Sequence, residues 1–140
     1  MTAKRYAPWL WLLVALFSFR VIAQLIALKS APAFLPSFDA WHSATVPYWL
    51  LVASQLVIIT NLAATAWRFT YGNVHPRPIL GRTLLVLGCI YLGVMLVRLA
   101  LGLTILTAHP WFSKVLPTIF HIVLAAFLIL VGLYHVRRDK

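Results

Sequence analysis

The stretch WLWLLVALFSFRVIAQLIAL, residues 9–28, contains one charged residue, Arg20. A helix needs about 20 predominantly apolar residues to cross the hydrocarbon core of a membrane. Three further apolar stretches of similar length follow, at 47–67, 83–107 and 114–134. In the whole chain 63% of the residues are hydrophobic and 10% are charged, whereas soluble proteins have about 45–50% apolar and 25% charged residues. The sequence therefore predicts an integral membrane protein.

The four apolar stretches are predicted to be helices. Strands of a membrane β-barrel would alternate in polarity over about 10 residues, whereas these stretches are continuous. The connections YGNVHPRPILGR (71–82) and AHPW (108–111) contain the Gly, Asn and Pro residues typical of turns. Because no connection has room for a soluble domain, residues 1–140 are predicted to form one all-α domain. The predicted fold is a four-transmembrane-helix bundle with short loops.

The connection 29–47 is the longest in the chain and is predicted to form an exterior segment at the membrane interface. It is too short and too often interrupted by proline to span a bilayer, yet it contains several large apolar side chains. They are Phe34, Leu35, Phe38 and Trp41. Aromatic side chains favour the level of the lipid headgroups. We therefore expect this segment to lie along the outer interface or to fold over the bundle.

The first apolar stretch follows Lys4 and Arg5, as the apolar core of a secretory signal would. It exceeds the 7–15 residues usual for such a core. The sequence KSAPAF (29–34) nevertheless offers small residues of the kind found at cleavage sites. A retained first helix is the main prediction, and a cleaved signal is the alternative.

The distribution of Lys and Arg predicts the orientation, because basic residues near the ends of spans are retained on the cytoplasmic side. Eight of the twelve would lie on the side of both termini. They are Lys4, Arg5, Arg68, Arg77, Arg82, Arg137, Arg138 and Lys140. Lys29 and Lys114 would lie on the other side. The predicted location is a bacterial-type inner membrane, with both termini cytoplasmic.

The net charge of +10 could suggest a nucleic-acid partner, but no basic stripe occurs away from the predicted membrane edges. Attraction to anionic lipid headgroups explains the charge better. The lipid bilayer is therefore the predicted partner, nucleic acid is not, and a homo-oligomer is open. The single cysteine, Cys89, falls within the third span and can form neither an intrachain disulfide nor a two-cysteine metal motif.

Four polar residues from four helices each lie 7–9 residues from the predicted outer end of their own span: Arg20, Gln55, Arg98 and His121. At 1.5 Å per residue they share a depth of roughly 10–14 Å below the outer edge. Gln24 lies one turn further out, on the same face as Arg20. The sequence therefore predicts a polar layer in the outer half of the bundle.

The helical phase of these residues supports such a layer. Alternating spacings of three and four place several small and polar residues on one stripe of the third span: Gly88, Tyr91, Met95, Arg98, Gly102 and Ile105. The fourth span has a similar stripe: His121, Ala125, Leu128, Gly132 and His135. Small residues allow close helix approach, so both stripes are predicted to face the interior.

A charge within a span costs a few kcal/mol or more and usually finds a partner. The chain has only two carboxylates, Asp39 and Asp139, and Asp139 would lie at the cytoplasmic end. Asp39 could pair with Lys29 or Arg98, so it can satisfy at most one of the two arginines within spans. The other would seek backbone carbonyls, an anion, a carbonyl-bearing ligand or a partner's carboxylate. A purely architectural arginine that reaches toward the headgroups is the alternative.

Several more specific chemistries are open. His121 and His135 are 14 residues apart on one stripe, a separation that would suit two b-type haems, but each haem would need a second axial histidine from outside the spans. His42 or His109 could serve on the outer side and His75 on the inner side. Arg, Gln and His also suit the hydrogen bonding of quinone oxygens. The trio is not a specific motif.

Catalysis is less favoured. FDAWHS (38–43) places Asp39, His42 and Ser43 close together, but nucleophilic relays normally gather residues from distant segments. A metal site formed by Asp39, His42 and His109 lacks a diagnostic spacing. A non-enzymatic role is therefore favoured, with enzyme activity left open.

The sequence thus predicts a protein that binds a lipid-soluble or anionic ligand, or serves as an accessory subunit of a membrane complex. The predicted ligand-binding residues are Arg20, Gln24, Asp39, His42, Gln55, Arg98 and His121. A redox protein that binds haem or quinone and a small transporter are the alternatives.

Overall fold

The computed structural model describes residues 2–30, 32–41 and 46–137, and these residues are helical with no strand. A short 3-10 turn at Ala3–Arg5 precedes five α-helices. They are α1 (Ala7–Ser30), α2 (Phe38–Trp41), α3 (Tyr48–Tyr71), α4 (Pro78–Thr104) and α5 (Val115–Arg137). By length and composition, α1, α3, α4 and α5 could each cross a membrane. The predicted number of apolar helices is confirmed.

The bounds of α4 differ most from the prediction. The helix begins at Pro78, five residues before the predicted start. Proline suits the first turn of a helix, because the N–H group that it lacks would have no hydrogen-bond partner there in any case. Much of the predicted loop 71–82 is therefore helical. The helix ends at Thr104, and the next two N–H groups, of Ile105 and Leu106, both donate to the carbonyl of Leu101. Ile105 thus lies beyond the helix whose inner stripe it was predicted to join.

The long helices pack in the order α3, α1, α5, α4, as far as the described residues show. The two central helices are buried over 44% (α1) and 39% (α5) of their most apolar part, whereas α3 and α4 are buried over 11% and 17%. Their directions alternate. The indole N–H of Trp11, near the start of α1, donates to the hydroxyl of Thr70, near the end of α3, at 3.0 Å. The row is therefore an antiparallel bundle with α3 and α4 at its edges.

This alternation gives the bundle two different ends. The start of α1, the α3–α4 connection and the end of α5 lie together, and we call this the basic end, because most of the described Lys and Arg residues are found there. The opposite end carries α2 and the α4–α5 connection, and we call it the α2 end. The α3–α4 connection turns at Gly72, whose φ of 73° is in the left-handed region that favours glycine.

Glycines set the close approach of α4 and α5. A Cβ atom added to Gly88 would lie 2.8 Å from Cγ1 of Ile129, and one added to Gly132 would lie 2.9 Å from the backbone N of Leu85. Both distances are shorter than real Cβ contacts. The inner stripes predicted for the third and fourth spans are thus found at this interface, where small residues allow the backbones to meet.

Aromatic side chains fill the core at the basic end. The rings of Tyr6, Phe69 and Tyr134 meet edge to face, with centroids 4.8–6.5 Å apart. The hydroxyl of Tyr134 donates to the carbonyl of Val74 at 2.8 Å and so ties α5 to the α3–α4 connection. This cluster joins the N-terminal turn to α3 and α5.

The segment containing α2 folds over the opposite end of the bundle, which was one of the two predicted arrangements. Trp41 is buried, stacks on Phe120 of α5, and donates its indole N–H to the carbonyl of Pro36 at 3.1 Å. The ammonium group of Lys114 donates to the backbone carbonyl of Asp39. These contacts hold the segment against α1 and α5.

Candidate functional site

Two arginines on different helices are buried near the α2 end. Arg20, on α1, is 6% exposed and Arg98, on α4, is 4% exposed. The Nη2 atom of Arg20 donates to the carbonyl of Trp41 at 3.4 Å, and its Cζ atom lies 5.6 Å from the ring centroid of Phe120. Arg20 is thus covered by the segment that folds over the bundle.

Arg98 has a similar environment, which is formed by the α4–α5 connection. Its Nη2 atom donates to the carbonyl of Trp111 at 2.8 Å, and its Cζ atom lies 3.9 Å from the centroid of the same tryptophan ring. A guanidinium over an indole face gains cation–π attraction, which increases when water is excluded. Each arginine is therefore held by the backbone carbonyl of a tryptophan near the α2 end.

Neither buried guanidinium is neutralised within the described residues, where both donate to carbonyl oxygens and neither contacts a carboxylate. The Nε atoms of Arg20 and Arg98 are buried without a hydrogen-bond partner. Asp39 is exposed, and the contact recorded for it is made by its backbone carbonyl. Of the two partners suggested for Asp39, Lys29 and Arg98, the arginine instead contacts the carbonyl and the ring of Trp111.

His121 interacts electrostatically with both arginines. Its Nδ1 atom is 2.5 Å from the hydroxyl of Tyr91, across the α4–α5 interface. Arg20 and Arg98 are both near enough to the His121 ring and to the Tyr91 hydroxyl to interact with them electrostatically. Arg20, Tyr91, Arg98 and His121 thus form one group, which we call the arginine cluster.

The two glutamines extend the arginine cluster toward α3. The Nε2 atom of Gln55 donates to Oε1 of Gln24 at 3.5 Å, and both residues are almost completely buried. The remaining amide atoms, Nε2 of Gln24 and Oε1 of Gln55, have no partner among the described residues. Gln24 lies one turn from Arg20 on α1. This pair therefore adds a free donor and a free acceptor beside the cluster.

The structure brings together most of the predicted site residues. Arg20, Arg98 and His121 share one group, and Gln55 is hydrogen-bonded to Gln24, which lies one turn from Arg20 on α1. Asp39 remains outside the group. His42 falls outside the residues that the structure describes, so the structure does not test the predictions that involve it.

Three contributors were absent from the predicted site. Tyr91 was recognised only as part of the inner stripe of α4, although its position seven residues before Arg98 could have marked it as a partner. The carbonyls of Trp41 and Trp111 had no sequence signal, because a main-chain contact across the bundle depends on how the connections fold.

The histidines considered for haem occupy different surroundings. His121 is engaged by Tyr91, and the Nδ1 atom of His109 accepts the backbone N–H of Trp111 at 3.3 Å. His75 and His135 both line a cavity at the basic end. Within the described ranges no three His, Cys, Asp or Glu residues are grouped so that they could hold a metal ion.

The chain matches no family model, and no curated protein or solved structure shows significant similarity to it. The function is therefore inferred from the chemistry of the buried residues.

Proposed function

We propose that the arginine cluster binds the anionic or carbonyl end of a lipid-soluble molecule. In this proposal the four long helices cross a bacterial-type inner membrane, with the basic end and both termini in the cytoplasm. The excess of Lys and Arg at the basic end supports that orientation. The arginine cluster would then lie in the outer half of the bilayer.

The observation that carries the proposal is the absence of a counter-charge. Two guanidinium groups are buried in the described structure with unpartnered Nε atoms and no contacting carboxylate. Isolated charges in a low-dielectric interior are costly, so such groups usually pair or bind an ion. A ligand oxygen that carries negative charge or strong carbonyl character would accept from both arginines and from the Gln24 amide. The donors of the cluster are complementary to that chemistry.

The placement of the cluster supports a ligand that reaches it from the membrane. At the α2 end Trp41 and Trp111 cover the two arginines. Tyr91 and His121 are only partly buried, although they lie well within α4 and α5. These two residues are therefore the part of the cluster that a molecule in the hydrocarbon could reach.

Native mass spectrometry of the detergent-purified protein, with an absorbance scan of the same sample, tests the proposal. Oleate and a ubiquinone with a short isoprenoid tail serve as added probes, one anionic and one with carbonyl oxygens. We expect the wild type to retain a small-molecule mass or to bind one of the probes. Arg20→Leu and Arg98→Leu should each weaken that binding more than tenfold.

Arg82→Leu is the matched control, since it removes one exposed arginine at the opposite end. Its binding should equal that of the wild type. Unchanged binding in both cluster variants, with equal or higher stability, would show that the arginines are architectural. A chain that binds neither probe and retains only other protein subunits would contradict ligand binding and assign the arginines to a partner's carboxylates. A Soret band would instead identify a haem protein.

A further inference from the structure

A second polar site lies at the basic end, well separated from the arginine cluster. A cavity of about 330 Å³ opens there between the last turns of α3 and α5, the α3–α4 connection and the first turns of α4. We call it the basic-end cavity. Its polar lining consists of Thr65, Arg68, Asn73, His75, Arg77 and His135. Among the residues that the structure describes, no acidic side chain contributes to this lining.

The cations of the basic-end cavity have no acidic partner in the described structure. Asp39 is the only carboxylate side chain in the described ranges, and it lies at the α2 end. Arg68 and Arg77 are both exposed, so an incoming anion can reach them. Arginine suits phosphate in particular, because its planar fork can donate two parallel hydrogen bonds to neighbouring oxygens.

The backbone around α4 adds to the positive character of the cavity. Arg77 precedes the helix, and no side chain caps the first turn. Leu80, in that turn, lines the cavity, so the uncapped N-terminus of α4 borders it. The backbone N–H of Arg77 donates to Nδ1 of His135 at 3.3 Å, which leaves the other ring nitrogen of His135 to carry the imidazole proton. Phosphate groups bind well beside such helix starts when side-chain cations assist.

The remaining walls of the cavity are apolar. They are formed by Phe69, Val74, Leu80, Leu84 and Val131. These residues come from α3, the α3–α4 connection, α4 and α5. The acyl chain of a lipid could lie against these side chains while the headgroup remained at the mouth of the cavity. The basic-end cavity thus combines a cationic mouth with an apolar floor.

We propose that the basic-end cavity binds the phosphate group of an anionic phospholipid, with Arg68 and Arg77 as its principal ligands. The acyl chains lie against the apolar lining of the cavity. This site is independent of the arginine cluster, since the two sets of residues do not overlap.

Native mass spectrometry with phosphatidylglycerol titrated into the detergent-solubilised full chain tests the proposal. The double variant Arg68→Gln/Arg77→Gln should bind phosphatidylglycerol at least tenfold more weakly than the wild type. The double variant Arg82→Gln/Arg137→Gln loses the same charge from the same end of the bundle, outside the cavity, and should change binding less than threefold. Equal weakening by the two pairs would overturn the proposal, because it would show attraction to the basic surface as a whole.

Two further arms separate the contributions of phosphate and acyl chain. Phosphatidylcholine, whose headgroup has no net charge, should bind at least tenfold more weakly than phosphatidylglycerol, and equal binding would overturn the role of charge. Glycerol 3-phosphate supplies the phosphate without acyl chains. If glycerol 3-phosphate bound with the same affinity as phosphatidylglycerol, the assignment of the site to a lipid would be overturned. Leu84→Trp, which narrows the cavity but keeps every charge, should also weaken lipid binding.

Arg98→Leu distinguishes this proposal from the proposed function of the arginine cluster. It should leave phosphatidylglycerol binding unchanged, whatever its effect on oleate or ubiquinone.

Discussion

The hydroxyl of Tyr91 and Nδ1 of His121 lie 2.5 Å apart and join the middle of α4 to the second turn of α5. When the tyrosine donates this hydrogen bond, the neutral imidazole carries its proton on Nε2 and becomes a donor itself. Arg20 and Arg98 both interact electrostatically with the same ring. The pair therefore adds one more donor to a site that already has two guanidinium groups, which strengthens its complementarity to a ligand with acceptor oxygens.

The contribution of this hydrogen bond can be measured by a double-mutant cycle. Tyr91→Phe keeps the ring and removes the hydroxyl, whereas His121→Leu removes the acceptor. Hydrogen bonds between membrane helices contribute about 0.6 kcal/mol on average and up to about 1.7 kcal/mol. We expect a coupling free energy within that range from unfolding in mixed micelles titrated with SDS. Additive effects of the two substitutions would show that the hydrogen bond contributes nothing to stability.

Trp111 is expected to stabilise the ligand-free protein through Arg98. Trp111→Leu keeps the backbone carbonyl that accepts from Arg98 but removes the ring that lies 3.9 Å from its Cζ atom. Lost cation–π attraction should lower the free energy of unfolding by about 0.5–2 kcal/mol in the same SDS titration. Trp49→Leu is the control, because Trp49 is 72% exposed. Equal losses in the two variants would refute a specific role for the Trp111 ring.

The glycines of the α4–α5 interface provide a test of the helix packing. A methyl group at Gly132 would meet the backbone of both Leu85 and Gly81, whereas one at Gly93 would meet no atom within 4 Å. Gly132→Ala should therefore lower the free energy of unfolding by about 1–3 kcal/mol, as overpacked interiors do. Gly93→Ala should leave it unchanged or raise it by up to about 1 kcal/mol, since alanine favours helix. If Gly132→Ala were more stable than the wild type, α4 and α5 would have to be further apart than the structure shows.

Composition and periodicity were sufficient to predict the helices and their interior faces. The long apolar stretches left no alternative to four helices, and the spacing of Gly88, Arg98 and Gly102 marked the face of α4 that is buried. The paucity of carboxylates also indicated that at least one buried arginine would lack an ion-pair partner. These features depend on local sequence, which is why the sequence reveals them.

The spatial order of the helices could not be read from the same pattern. Successive helices α3 and α4 are joined by a short connection, so neighbouring positions would have been expected, yet they form the two edges of the row. The partner of Arg98 was also unpredictable. Trp111 is 13 residues away and contributes its carbonyl through the fold of the α4–α5 connection, whereas the sequence could only name classes of partner, among them Asp39 and backbone carbonyls.

The antiparallel arrangement predicts which positions share one side of a membrane. Thr2 lies at the basic end and Ser37 beside α2 at the other, and both are exposed. In a Cys89→Ser background, we expect Ser37→Cys in intact cells to react with a membrane-impermeant maleimide. Thr2→Cys should react only after the membrane is permeabilised, because in the proposed orientation the excess of Lys and Arg would keep the basic end in the cytoplasm. The reverse labelling pattern would keep the bundle but invert its orientation, and labelling of both positions in intact cells would contradict the four-span arrangement.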